Sequence, residues 1–197
     1  MPEQTDVRSV RDNLFCEPDC KVFAVLDGAS VPGLPARLYE DEPEYVCLYR
    51  GDLAPDLAET APYLARLEPE SKFTEWLIGR GWGEHWGIFA AVPADLRAMR
   101  LHFRRFTIVM SPENKPLYFR YYDPRVLRTY LPTCNAAEAE TVFGPISFYA
   151  AEGEDPDVML RFRRDAQGVR TQQVRLAPAA DATGVTGSME GGHARHP

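Results

Sequence analysis

The stretch "KVFAVLDGAS" at residues 21–30 constrains the fold more than any other. Its apolar run, Val22 to Leu26, is too short for an ordinary helix and is stopped by the turn signal Asp27-Gly28, so it reads as a buried strand. A buried strand must pair its backbone groups with neighbours, and the chain supplies candidates. "EYVCLYRG" gives a second strand ending at Gly51, "APYLARL" a third short strand or a turn onto one, and "HWGIFAAV" another. "FTIVM" and "LYFRYY" flank "SPENKP" as an antiparallel hairpin with a longer loop. The runs around "PISFYAA", "VMLRFRR" and "VRTQQVRL" add three more strand-like segments.

Helical patterns alternate with these strands. Val7, Val10 and Leu14 fall at helical spacing in "TDVRSVRDNLF", and "PGLPARLYEDEPE" holds one or two helical turns. Ser71 is an N-cap for "KFTEWLIGR", which the glycines 79, 81 and 83 end. "PADLRAMRLHFRRF" is the clearest helix: Leu96, Met99 and Phe103 share one face, and Arg97, Arg100 and Arg104 form a separate ridge. "NAAEAETVFG" is a helix ended by Gly144. With no repeat visible, the sequence predicts an α+β (mixed α/β) single domain. Helices flank a central mixed sheet that includes the hairpin 106–122, and short C-terminal strands follow. The expected divisions are a helical segment 1–20, a domain 21–152, a strand extension 153–176 and a disordered tail 177–197 rich in Ala, Gly, Thr, Pro and His.

The net charge of −7 argues against a general nucleic-acid binder, but the charge is unevenly placed. Residues 97–128 hold eight Lys/Arg against two Asp/Glu, a local +6, which leaves −13 for the rest. A basic strip therefore lies on an acidic body. No run approaches the roughly 20 apolar residues of a membrane span, and the start lacks the basic-then-apolar pattern of a secretory signal, so a cytoplasmic protein is expected. Cys16, Cys20, Cys47 and Cys134 are too dispersed for a disulfide scaffold. The Cys16/Cys20 pair has no second pair to complete a metal site, so plain thiols are expected, with no metal and no cofactor.

Sequence signatures of nucleophile elbows, P-loops, dinucleotide-binding turns and zincin helices are missing. His102 reads as a packed helix-face histidine in preference to a general base, and His85 would need distant partners; His193 and His196 fall in the tail. Asp27 stands where many α/β enzymes place a functional carboxylate, and equally where a plain turn would place one.

"FRYYDPRVLRTYLP" at 119–132 carries the densest signal. Asp123 is an N-cap and Pro124 an N1 proline, two independent marks of a helix start, after which Leu127, Tyr130 and Leu131 face inward until Pro132. Arg120 falls inside an apolar-aromatic strand between Tyr118 and Tyr122, and Arg125 sits in a first helical turn, where the dipole disfavours a cation. Both placements require carboxylate partners, from Asp123 or the acidic segment 40–59. The expectation is an ion-pair and capping cluster that fixes a hairpin-to-helix corner.

In order along the chain, "FAVLDGA", "LYRG", "APYLARL", "WGIF", "LRAMRLHFRRF", "FRYYDPRVLRTYLP" and "FGPI" resemble the bacterial type VI secretion effector-adaptor family over roughly residues 21–152. The resemblance implies a non-enzymatic cytoplasmic chaperone that binds a cognate type VI effector and loads it onto the VgrG spike. It brings no catalytic residues. Arg104, Arg105, Arg120, Asp123 and Arg125, with Pro124 between the last two, carry over as signature positions of binding or architecture. "SPENKP" departs from the tighter turn of relatives, and little chain remains after 152 where many relatives have a C-terminal lobe. Arg97, Arg100 and Arg104 are then the expected partner-binding ridge, toward a protein, with neither nucleic acid nor membrane as partner. An immunity-like protein that neutralises a toxin is the competing expectation, and an enzyme the third.

Overall fold

The computed structural model describes residues 6–178. Seven strands form one sheet in the order β2 (Tyr45–Cys47), β3 (Pro62–Leu67), β1 (Lys21–Asp27), β4 (Gly87–Val92), β7 (Phe148–Glu152), β8 (Val158–Arg164) and β9 (Val169–Arg175). All residues of β1 except Lys21 are buried, and so are all of β4. The reason is coverage on both faces. Val22, Ala24 and Leu26 pack with residues of α1 (Val7–Leu14), α2 (Leu34–Asp41) and α4 (Lys72–Gly81). Phe23 and Val25 point the other way, toward α5 (Leu96–Arg104), α6 (Pro124–Tyr130) and α7 (Ala136–Phe143). The period-two alternation of a strand thus feeds two cores at once, and burying each large side chain contributes roughly 1.5–3 kcal/mol.

The α/β class and the sheet with flanking helices are as the sequence predicts, with two corrections. Each strand pairing is antiparallel, so the sheet is not mixed. β3 and β4, joined through α4, do run parallel, but β1 lies between them and is antiparallel to both. The second correction concerns the hairpin. β5 (Ile108–Met110) and β6 (Pro116–Tyr118) form a separate two-stranded sheet with Ile108↔Tyr118, Val109↔Leu117 and Met110↔Pro116 in register, and all six residues are exposed. The hairpin 106–122 is therefore not part of the central sheet, in which β4 pairs instead with β7, Phe89 opposite Ala150.

Local chemistry explains most boundaries. Ser71 accepts from the Thr74 N–H (3.2 Å) at the start of α4, and Asn135 and Glu138 close a capping box on α7. "APYLARL" is a full strand with six partners on β1. A short helix, α3 (Pro55–Thr60), has no side-chain cap and no buried residue, and nothing in its pattern announced it. The expected divisions at 20 and 152 do not separate cores: α1 buries Val10 and Leu14 in the first core, and β8 and β9 extend the same sheet. Of the expected tail, residues 179–197 lie outside the described residues, and His193 and His196 with them. Among the described residues, no helix is long and apolar enough to cross a membrane.

Candidate functional site

Asp27 ends β1 and is almost fully buried. Its carboxylate shapes the following turn, accepting from the Ala29 N–H (3.2 Å) and the Ser30 hydroxyl (3.0 Å). Gly28 is required there: a Cβ would come within 2.5 Å of the Ala61 carbonyl oxygen, on rigid backbone. The remaining lone pairs of Asp27 take the Arg120 guanidinium. Arg120 therefore sits not in a strand but in the corner between β6 and α6, and its partner is neither Asp123 nor the 40–59 segment.

Asp123 serves Arg125 instead. Its Oδ1 caps α6 by accepting from the Arg125 N–H and also accepts from Nε, both at 2.9 Å, while Oδ2 accepts from Nη2 at 2.7 Å. Burial pushes the Asp123 carboxyl up, but these Arg125 hydrogen bonds and the charges of Arg125 and Arg120 carry it below the ordinary aspartate value. The N1 position of Pro124, which has no N–H to satisfy, completes the cap. Tyr122, beside Tyr49, has its hydroxyl pushed up chiefly by burial.

A third pair joins the same end of the sheet. Glu152, the buried last residue of β7, accepts from the backbone N–H groups of Gly83 (2.5 Å) and His85 (2.9 Å) and contacts His85 Nδ1. Burial raises its carboxyl above the ordinary glutamate value despite these partners. Glu152 had no sequence signal of its own beyond ending an apolar strand. Asp27, Asp123 and Glu152 are thus matched with Arg120, Arg125 and His85, and the cluster satisfies itself. Arg120→Ala is expected to cost about 2 kcal/mol, because it leaves a buried carboxylate with only two hydrogen bonds. Adding Asp27→Asn should restore part of that loss; chemical denaturation that finds the two changes simply additive would show that the pair is uncoupled.

His102 is a core residue of α5. Nε2–H donates to the Val142 carbonyl (2.8 Å), and Nδ1 accepts from Arg105 Nη2 (3.0 Å). Burial first, then the Arg105 charge, lowers it to about 4, against the Val142 hydrogen bond. Gly144, at φ +50°, lies against the ring; a Cβ there would meet Cε1 at 2.8 Å. Arg105 also lies over the Phe106 ring at 5.5 Å.

The arginine ridge divides by position. Arg97 is exposed and Arg100 half-buried. Arg104 Nη2 donates to the carbonyls of Cys47 (2.9 Å) and Tyr49 (2.7 Å), so it braces α5 against β2 as well as facing outward. Burial, and then the charges of Arg100 and Arg50, lower its pKa. Among the described residues, none of Arg50, Arg97, Arg100, Arg104 and Arg105 has a carboxylate in ion-pairing distance. Next to them the hairpin exposes Ile108, Met110, Leu117 and Tyr118, each about half-exposed or more. The Tyr118 ring reaches back to Tyr49, with centroids 5.5 Å apart. A groove of about 440 Å³ runs between the hairpin and residues 48–57. The sequence placed the hairpin in the central sheet and did not reveal this open apolar lining, since alternation marks a strand without saying what covers it.

Neither a search of curated proteins nor one of solved structures gives a match. A family described as "Domain of unknown function (DUF4123)" matches residues 22–141, from the second residue of β1 into α7, and so takes in Asp27, the α5 arginines, the hairpin and the Arg120–Asp123–Arg125 corner. On that match, which covers more than half of the sequence, the chain belongs to the DUF4123 family.

Proposed function

We propose that the chain is a type VI secretion effector adaptor: a cytoplasmic, non-catalytic chaperone that binds a cognate toxin effector and loads it onto the VgrG spike. Family membership and the ordered resemblance of the motifs support this reading. The observation that carries it is the field of unpaired arginines beside an exposed apolar hairpin on a chain of net charge −7. Exposed apolar surface of this kind marks a place of contact. Charge around it speeds encounter, while the apolar residues supply most of the affinity. The Asp27–Arg120 pair ties the corner after the hairpin to the end of β1, and Asp123–Arg125 fixes the start of α6 that follows it.

The test is affinity purification of the full chain from its native cell, with mass spectrometry to show whether an effector and a VgrG spike protein stay bound. An adaptor retains both. A toxin neutralised in the cytoplasm without any spike protein would instead establish an immunity protein. Arg97→Glu with Arg100→Glu should slow association by about tenfold at low salt and flatten its salt dependence. A salt slope equal to that of the unaltered protein would remove the ridge from the interface.

A further inference from the structure

Resting on the adaptor reading, the geometry points to a definite occupant for the groove between the 48–57 segment and the hairpin. We propose that it seats a partner segment in which an acidic side chain neighbours a large apolar one. Leu53 and Leu57 form one wall, and Ile108 and Tyr118, a registered cross-strand pair, form the other. Arg50 and Arg104 stand at its rim, and no carboxylate is among the lining residues. The volume of about 440 Å³ falls in the range, roughly 300–1,000 Å³, of sites that take a compact ligand group.

Charge selects the occupant. Arg104 spends one nitrogen on two backbone carbonyls and so has a fixed position, while Arg50 makes no hydrogen bond or ion pair among the described residues. One held guanidinium and one free guanidinium, flanked by Arg100, repel each other until an anion arrives. A carboxylate bound between them would be fixed by charge-assisted hydrogen bonds. The apolar walls demand that this carboxylate come with a side chain able to fill them, which a free inorganic anion lacks. A second copy of the chain or a nucleic acid would use the same arginines, and the test separates both.

The full chain is used as bait for a displayed library of random short peptides, and the most enriched peptide is synthesised with a fluorophore. Its binding is followed by anisotropy, with the oligomeric state of the chain measured in parallel. The enriched peptides should carry Asp or Glu next to Leu, Ile, Phe or Tyr. Arg50→Glu, Leu57→Asp, and replacement of the peptide's carboxylate by its amide should each weaken binding about tenfold or more. Arg50 and Leu57 are exposed, so these variants keep the fold. A peptide with Lys in place of the acid should regain affinity for Arg50→Glu. Enrichment of nothing, or of basic peptides, overturns the proposal. So do variants that bind as the unaltered protein does, a single-stranded oligonucleotide that competes through Arg50 as well as the peptide, or self-association lost in Arg50→Glu. If the groove variants leave co-purification with effector and spike intact, the occupant is wrong and the adaptor reading stands. If the peptide binds as expected but neither effector nor spike is retained, the groove stands and the adaptor reading falls.

Discussion

Phe103→Ala is expected to destabilise the protein by about 3–5 kcal/mol, the range for emptying a fully buried aromatic site. The ring is completely buried, stacked on Tyr121 at 5.8 Å and met edge-on by Tyr149 at 6.3 Å. The Tyr121 hydroxyl also donates to the Phe103 carbonyl at 3.1 Å, so the corner between β6 and α6 is tied to α5 at this residue. In a chain of this size such a loss lowers the melting temperature by about 10 °C. It has a functional side, because Phe103, with Met99 and His102, is one of the buried residues by which α5, with its arginines, is held in the fold. Thermal melts should show the drop, and partner binding should fall before unfolding begins. A melting temperature within a degree or two of the unaltered protein would mean that the second core re-forms around the gap and that α5 is held elsewhere.

The second large effect is a loss of stability in acid that originates at His102. Its imidazole is neutral in the fold, with a pKa of about 4, while an unfolded histidine titrates near 6.5. Below about pH 6.5 the unfolded state takes up a proton that the folded state refuses until about pH 4. The contribution is therefore complete above about pH 6.5 and is lost as pH falls toward 4, by about 3 kcal/mol in all. Glu152 acts in the opposite sense, since a carboxyl raised by burial favours the fold as it protonates. A difference measurement isolates the histidine. His102→Gln keeps a donor for the Val142 carbonyl and removes the titration, so its deficit against the unaltered protein should be largest near neutral pH and shrink toward about pH 4. Parallel stability curves across that range would show that the ring is not the titrating group.

What the sequence made legible, it did through local chemistry. The caps at Ser71 and Asp123, the proline at 124 and the stop at Gly144 each act within a few residues, and the structure has each at its helix end. The apolar run of β1 revealed a buried strand because coverage on both faces leaves no room for polar side chains. Pairings across the chain were another matter. Arg120 meets Asp27 across 93 residues and Glu152 meets His85 across 67, distances at which no spacing rule operates. The sequence showed that Arg120 needed an anion but could not say which, and the nearby acids were the wrong choice. The hairpin misled in the reverse direction: Ile108, Met110 and Leu117 have the composition of a core, yet they stand in solvent. That mismatch between composition and exposure is the basis of the proposed binding surface.

The family match stops at residue 141, whereas the sheet continues through β7, β8 and β9. β7 satisfies the free flank of β4, and Tyr149, Met159 and Phe162 are built into the two cores. The segment matched by the family and the sheet that buries these residues thus have different ends. A fragment trimmed to the shared boundary would present a bare, greasy sheet margin to its own kind.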